Sequence, residues 1–180
     1  YGCRMEGFNH EAVGIAGHLG LGRLIVLWDD NRITIDGATS LSTCEDIPAR
    51  YVAGGWHTVR CDGHDPEDIA RAIDEALADP RPSLIACRTI IGRGAPHKQG
   101  TSATHGSPLG AAEVAAARET LGWPYPPFEI PAEIKAEWES FGTKGASPRA
   151  AWETRLAASA ERAEFERRMA GRLPEGNAKQ

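Results

Sequence analysis

The chain has 180 residues, 41% hydrophobic and 25% charged, which suits one sizeable core and excludes a wholly disordered polymer. Twenty Lys and Arg stand against 25 Asp and Glu, a net charge of −5 that argues against a general nucleic-acid surface. No apolar run approaches the roughly 20 residues that span a bilayer, so a cytoplasmic protein with no membrane or nucleic-acid partner is expected.

Residues 7–19 carry Phe8, Ala12, Ile15, Ala16 and Leu19 at near-helical spacing. This predicts a helix packed on a sheet, with Gly14 and Gly17 permitting close approach. Residues 24–28 form an unbroken apolar run that predicts an interior parallel strand covered on both faces, ending at Asp29-Asp30-Asn31. Polar residues there would lie outside the carboxyl edge of the sheet, where ligands bind in such folds. A short helix is expected over 47–52 and a strand over 56–61, followed by the turn Asp62-Gly63-His64-Asp65. Asp65 is a suitable N-cap and Pro66 a suitable first residue for a helix running to Leu77. A β-branched run over 83–91 predicts another strand.

Two strand-helix-strand units point to an α/β domain with a mostly parallel sheet. Residues 92–110 hold five Gly and two Pro and predict a long functional loop. Helices are expected over 111–121 and 132–141, a linker over 143–148, and a final helix over 150–169 with Trp152, Leu156, Phe165 and Met169 on one stripe. The cysteines Cys3, Cys44, Cys61 and Cys87 are scattered without a CxxC pair, which fits reduced thiols in core packing and no zinc cluster.

Asn31 offers a neutral amide oxygen of the kind a hard divalent cation accepts, with a nearby backbone carbonyl as a second ligand. A carboxylate should join them, and Asp29, Asp30 and Asp36 are equally available by spacing. Gly2, opening a small-residue helix, could bring backbone N–H groups to a phosphate. His105, in the long loop, could donate to a phosphate or a developing oxyanion.

Several stretches, in this order, resemble the transketolase family of thiamine-diphosphate enzymes. They are Gly2-Cys3-Arg4-Met5-Glu6-Gly7 with His10-Glu11, then Asp29 through Gly37, Gly55-Trp56-His57 and Asp62-Gly63-His64-Asp65. The strand through Cys87-Arg88-Thr89-Ile90-Ile91-Gly92 follows, then Thr104-His105-Gly106-Ser107-Pro108-Leu109-Gly110, Leu121-Gly122-Trp123 and Pro127-Phe128-Glu129-Ile130-Pro131. The resemblance implies an internal piece of a larger enzyme. Residues 1–141 would be the second half of a three-layer α/β/α diphosphate-binding domain, and 142–180 an interdomain linker and helical arm.

It implies thiamine diphosphate and Mg²⁺, or Ca²⁺ in its place. Gly2 would approach the diphosphate, Asn31 and the Ile33 carbonyl would ligate the metal, and Ile35 would lie in the cofactor pocket. His105 would serve the diphosphate and the reacting hydroxyls, and Glu6 would sit in the interface of a homodimer whose active sites lie between subunits. The implied reaction moves a two-carbon ketol unit between sugar phosphates, in a pentose-phosphate or carbon-fixation route, with this segment inactive alone. A synthase joining pyruvate to an aldehyde phosphate and a non-catalytic assembly subunit are the alternatives. The sequence departs from the family pattern at Tyr1, which stands where the family has its aspartate ligand, and at Ser102, where many members have histidine.

Overall fold

The computed structural model describes residues 2–174 and residue 176; Tyr1 lies outside the described residues. The chain divides into two compact units, Tyr1–Pro124 and Tyr125–Gln180.

The first unit is built on three parallel strands, β1 (Ile25–Asp30), β2 (His57–Asp62) and β3 (Ser83–Arg88), in the spatial order β1-β3-β2. Connecting them are α2 (Ile47–Ala53) and α3 (Pro66–Ala78), with α1 (Gly7–His18) before β1 and α4 (Ala111–Thr120) after the long loop. Alternation along β3 makes the layers. Leu84 and Ala86 join Val13, Ala16, Trp28, Ile47, Tyr51 and Trp56 on the α1/α2 face. Ile85 and Cys87 join Val59, Cys61, Ala72 and Ala76 on the α3 face. The central strand is therefore covered on both sides, as an α/β/α architecture requires.

Local chemistry explains most of the elements. Asp46 caps α2 by accepting the Ala49 N–H at 3.1 Å, and Asp65 caps α3 by accepting the Glu67 N–H at 3.0 Å. Trp56 donates its indole N–H to the Val13 carbonyl at 2.9 Å, fixing α1 to the segment before β2. Gly17 is a true close approach: a Cβ there would stand 1.8 Å from the Gly54 carbonyl oxygen. Gly14 is not, since nothing lies within 4 Å of its missing Cβ.

Three expectations are corrected. The run at 24–28 was expected in the interior, but β3 is central and β1 pairs on one side only among the described residues, with Leu27 53% exposed. An unbroken apolar run reports parallel character and burial, not rank in the sheet. The strand expected over 83–91 stops at Arg88, because Asp30, Arg88 and Asp62 share one register level and both partner strands end there. Beyond it the Ile90 N–H turns to the His64 ring, donating to Nε2 at 2.8 Å.

The third correction concerns the second unit, which comprises α5 (Ala132–Lys144), α6 (Ala146–Ala158) and α7 (Arg162–Met169). The linker expected over 143–148 shrinks to Gly145, since Pro148 sits in the first turn of α6, where a missing N–H costs nothing. The single helix expected over 150–169 is broken at Ser159, whose backbone is extended and whose hydroxyl accepts the Glu161 N–H at 3.2 Å. Trp152 and Phe165 meet edge-on across that break, their centroids 5.9 Å apart. Among the described residues no helix is long and apolar enough to cross a membrane.

Candidate functional site

The segment after β1 is organised by Asn31. Its Oδ1 accepts the Ile33 N–H at 2.9 Å and its Nδ2 donates to Asp29 at 3.1 Å. This side-chain turn holds Arg32 at φ 60°, a conformation unfavourable for a residue with a Cβ by about 1 kcal/mol or more. A tight hairpin follows: Ile33 bridges to Ala38, and the Thr34 N–H donates to the Gly37 carbonyl at 2.7 Å. Ile35 and Asp36 form its tip, and Ile35 is largely exposed.

At the head of α1, residues Gly2–Arg4 make one 3-10 turn. The Arg4 guanidinium stacks over Trp28 at 4.3 Å and Tyr51 at 4.8 Å, tying that turn to the core. Glu6 occupies the N-cap position of α1, but its side chain makes no capping bond and is exposed.

The third part of the site is the loop after β3. The Gly100 N–H donates to the Ile91 carbonyl at 2.8 Å, closing the loop at its base. Gly92, at φ 65°, leaves room for Thr104: a Cβ there would stand 2.6 Å from the Thr104 methyl. The loop is anchored to α4 by Glu113, a carboxylate only 7% exposed, whose oxygens accept the His97 N–H at 2.8 Å and face the His97 Nδ1 at 2.9 Å. Burial works to raise the Glu113 pKa, but the bonds from His97 outweigh it and hold the carboxyl below its ordinary range. Lys98 adds a bond from its ammonium to the Leu109 carbonyl at 2.8 Å. The 3-10 turn Ser102–Thr104 then delivers His105, whose N–H donates to the Ser102 carbonyl at 2.9 Å.

These three parts meet around a cavity of about 700 Å³ lined by Gly2, Met5, Ile33, Ile35, Asp36 and His105, among others. His105 lines it with its ring, whose Nδ1 is buried and has no hydrogen-bond partner.

Of the residues singled out in the sequence, Gly2, Ile33, Ile35 and His105 share this cavity. Asn31 does not line it and instead shapes the hairpin behind Ile33. Glu6 also lies off its lining. Asp29 is engaged by Thr89 and Asn31, and the buried Asp30 faces Arg32 and Arg88 at 3.9 Å each, so Asp36 is the acid of the three that reaches the cavity. Met5 was not singled out, although it lies next to the helix head already marked by Gly2. Among the described residues no group of three His, Cys, Asp or Glu could hold a metal ion.

The sequence profile described as "Transketolase, thiamine diphosphate binding domain" matches residues 1–174. The chain belongs to the transketolase family. It is 64% identical over 165 residues to the transketolase of Cereibacter sphaeroides, covering 92% of this chain and 25% of that protein. With transketolase 1 of Vibrio vulnificus it shares 52% over 179 residues, 96% of this chain and 27% of that one. The solved transketolase of Leishmania mexicana superposes with a TM-score of 0.89 at 38% identity, and that of Pichia stipitis in complex with sedoheptulose-7-phosphate with 0.87 at 40%. Each superposition covers 97% of this chain and 27% of the solved one. The chain thus spans about a quarter of the length of the relatives it matches.

Proposed function

We propose that the intact protein transfers a two-carbon ketol unit from a ketose phosphate to an aldose phosphate, as a cytoplasmic homodimer with its active sites between subunits. The observation that carries this reading is the cavity shared by Gly2, Ile33, Ile35 and His105 in a chain of this family. Residues 1–141 would contribute the second half of the diphosphate-binding domain, and 142–180 the connection to the next one.

Thiamine diphosphate, held through Mg²⁺ or Ca²⁺, would take as donors Ile33 of the cavity lining and the Asn31 amide beside it. When bound, it supplies the carbon nucleophile and the electron sink for C–C cleavage. The Asn31 and Ile33 oxygens would take two places in the metal shell, and hard cations of this kind accept neutral oxygens beside phosphate oxygens. Gly2, without a side chain, would let backbone N–H groups approach the diphosphate. Ile35 would give the cofactor an apolar wall. His105 would hold or move a proton at the diphosphate or at the substrate hydroxyls. Glu6, exposed at the head of α1, would face the second subunit.

Calorimetric titration of the intact protein with thiamine diphosphate, with and without Mg²⁺, tests the reading, together with ketol transfer between sugar phosphates. Asn31→Ala should weaken Mg²⁺-dependent cofactor binding at least tenfold. His105→Ala should lower kcat by about 10²-fold or more while the cofactor still binds. No cofactor binding by the intact dimer would refute the proposal.

A further inference from the structure

The loop that carries His105 begins with a hydrogen bond that fixes a protonation state. The Ile90 N–H donates to the His64 Nε2 at 2.8 Å. A backbone N–H can only donate, so Nε2 must carry its lone pair, and the neutral ring must hold its proton on Nδ1. The His64 backbone is fixed in turn: its N–H donates to Asp62 Oδ1 at 2.9 Å, and its carbonyl accepts from Arg93 at 3.3 Å. The charged groups that line one cavity with His64 are Arg60 and Asp62 of β2, Asp68 of α3 and Arg88 of β3, while Asp65 follows it in the turn and Arg93 reaches its backbone. The specific constraint on the ring is the donor aimed at Nε2.

From Ile90 the path to His105 is short and continuous. Ile91 holds the Gly100 N–H, Gly92 packs on Thr104, and Thr104 precedes His105. We propose that His64 is a positioning residue: in its neutral form it accepts the Ile90 N–H and holds the base of the loop in register for His105, and its protonation releases that base. An imidazolium would set N–H against N–H at the contact, and histidine is the side chain that makes this change between about pH 5 and 8. The consequence for turnover rests on the ketol-transfer reading; the consequence for the loop does not.

Hydrogen exchange at Ile90 in the intact protein tests the latch, at pH 5.5 and 7.5 with the intrinsic pH dependence of exchange removed. Wild-type protection should fall roughly three- to tenfold on acidification, the worth of one hydrogen bond. His64→Gln supplies an acceptor that does not titrate and should remove the fall. His64→Ala should be unprotected at both values. A wild-type protein with equal protection at both pH values overturns the proposal even if the variants fold poorly, and so does a His64→Gln protein that loses protection as the wild type does. In ketol-transfer assays His64→Gln should shift the acid limb of kcat with KM unchanged. If the wild type itself shows no ketol transfer, the functional reading fails, while the exchange result still decides the latch.

Discussion

Gly92 is where the shape of the backbone and the placement of His105 meet, and Gly92→Ala separates the two. An L-residue at φ 65° costs about 1–2 kcal/mol from its Cβ against its own backbone. The new Cβ would also stand 2.6 Å from the Thr104 Cγ2, and Thr104 cannot simply swing aside because its hydroxyl donates to the Thr101 carbonyl at 2.9 Å. Overpacking of this kind adds about 1–3 kcal/mol, so the loop should open more readily by about 2–5 kcal/mol.

Gly100→Ala is the control. Its φ is 73°, but the nearest atom, the Ile90 Cγ2, is 3.9 Å away, so only the first cost applies. Trypsin cleavage after Arg93 and Lys98 in the native intact protein follows the population of the opened loop. At about 1.4 kcal/mol per decade, cleavage should rise roughly five- to thirtyfold in Gly100→Ala, and from about thirtyfold to a few thousandfold in Gly92→Ala. Thr104→Ser removes the offending methyl and keeps the hydroxyl, so it should recover part of the excess when combined with Gly92→Ala. Equal cleavage of the two alanine variants, or a double variant that is only the sum of its parts, would refute the claim that Gly92 seats Thr104.

Two more outcomes follow from the electrostatics. The Glu113 carboxyl is depressed in the folded chain, so its anchoring of the loop should be complete above its unfolded value of about 4.5 and lost as pH falls through the lower folded value. Exchange at the His97 amide should therefore stay flat as pH falls to about 4.5 and rise below it. Glu113→Gln should raise it throughout and flatten the profile. Burial pushes the Cys87 thiol up to about 12, and Cys61 beside it is also buried, whereas Cys44 is exposed. Iodoacetamide at pH 8 should therefore label Cys44 more than about a hundredfold faster than Cys87, as read by peptide mass spectrometry; equal rates would show that the α3 face is open to solvent.

What the sequence made legible follows from how local each signal is. The helix at 66–78 was readable because Asp65, Pro66 and the apolar positions Ile69, Ile73, Ala76 and Leu77 all act within one or two turns and state the same element, although Leu77 itself proves exposed and Ala72 is buried instead. The end of the second-unit helix at Ser159 was not readable, because an extended serine and a hydroxyl turn compete with a helical pattern that continues on both sides. At the cavity, Gly2, Ile33, Ile35 and His105 were legible through family motifs, and the local chemistry alone marked them only weakly. That Asp36 rather than Asp29 or Asp30 reaches the cavity depends on the hairpin carrying it past the strand end, which spacing along the chain does not encode.

The least legible feature is the one that organises the loop. The sequence places β-branched residues through Ile91 and so favours a strand that continues; the sheet forbids it, because β1 and β2 both end at the level of Arg88 and the ladder closes with the Thr89 N–H on the Asp30 carbonyl at 3.4 Å. A backbone N–H without a ladder partner must find another acceptor, and His64 is in reach because the turn between β2 and α3 crosses that same edge. One geometric fact, the common end of three strands, thus stops β3, recruits an imidazole as an acceptor and starts the loop that ends at His105. A change that lengthened β1 or β2 by two residues would offer Ile90 a strand partner, free His64, and send the loop out along the sheet instead of back across it.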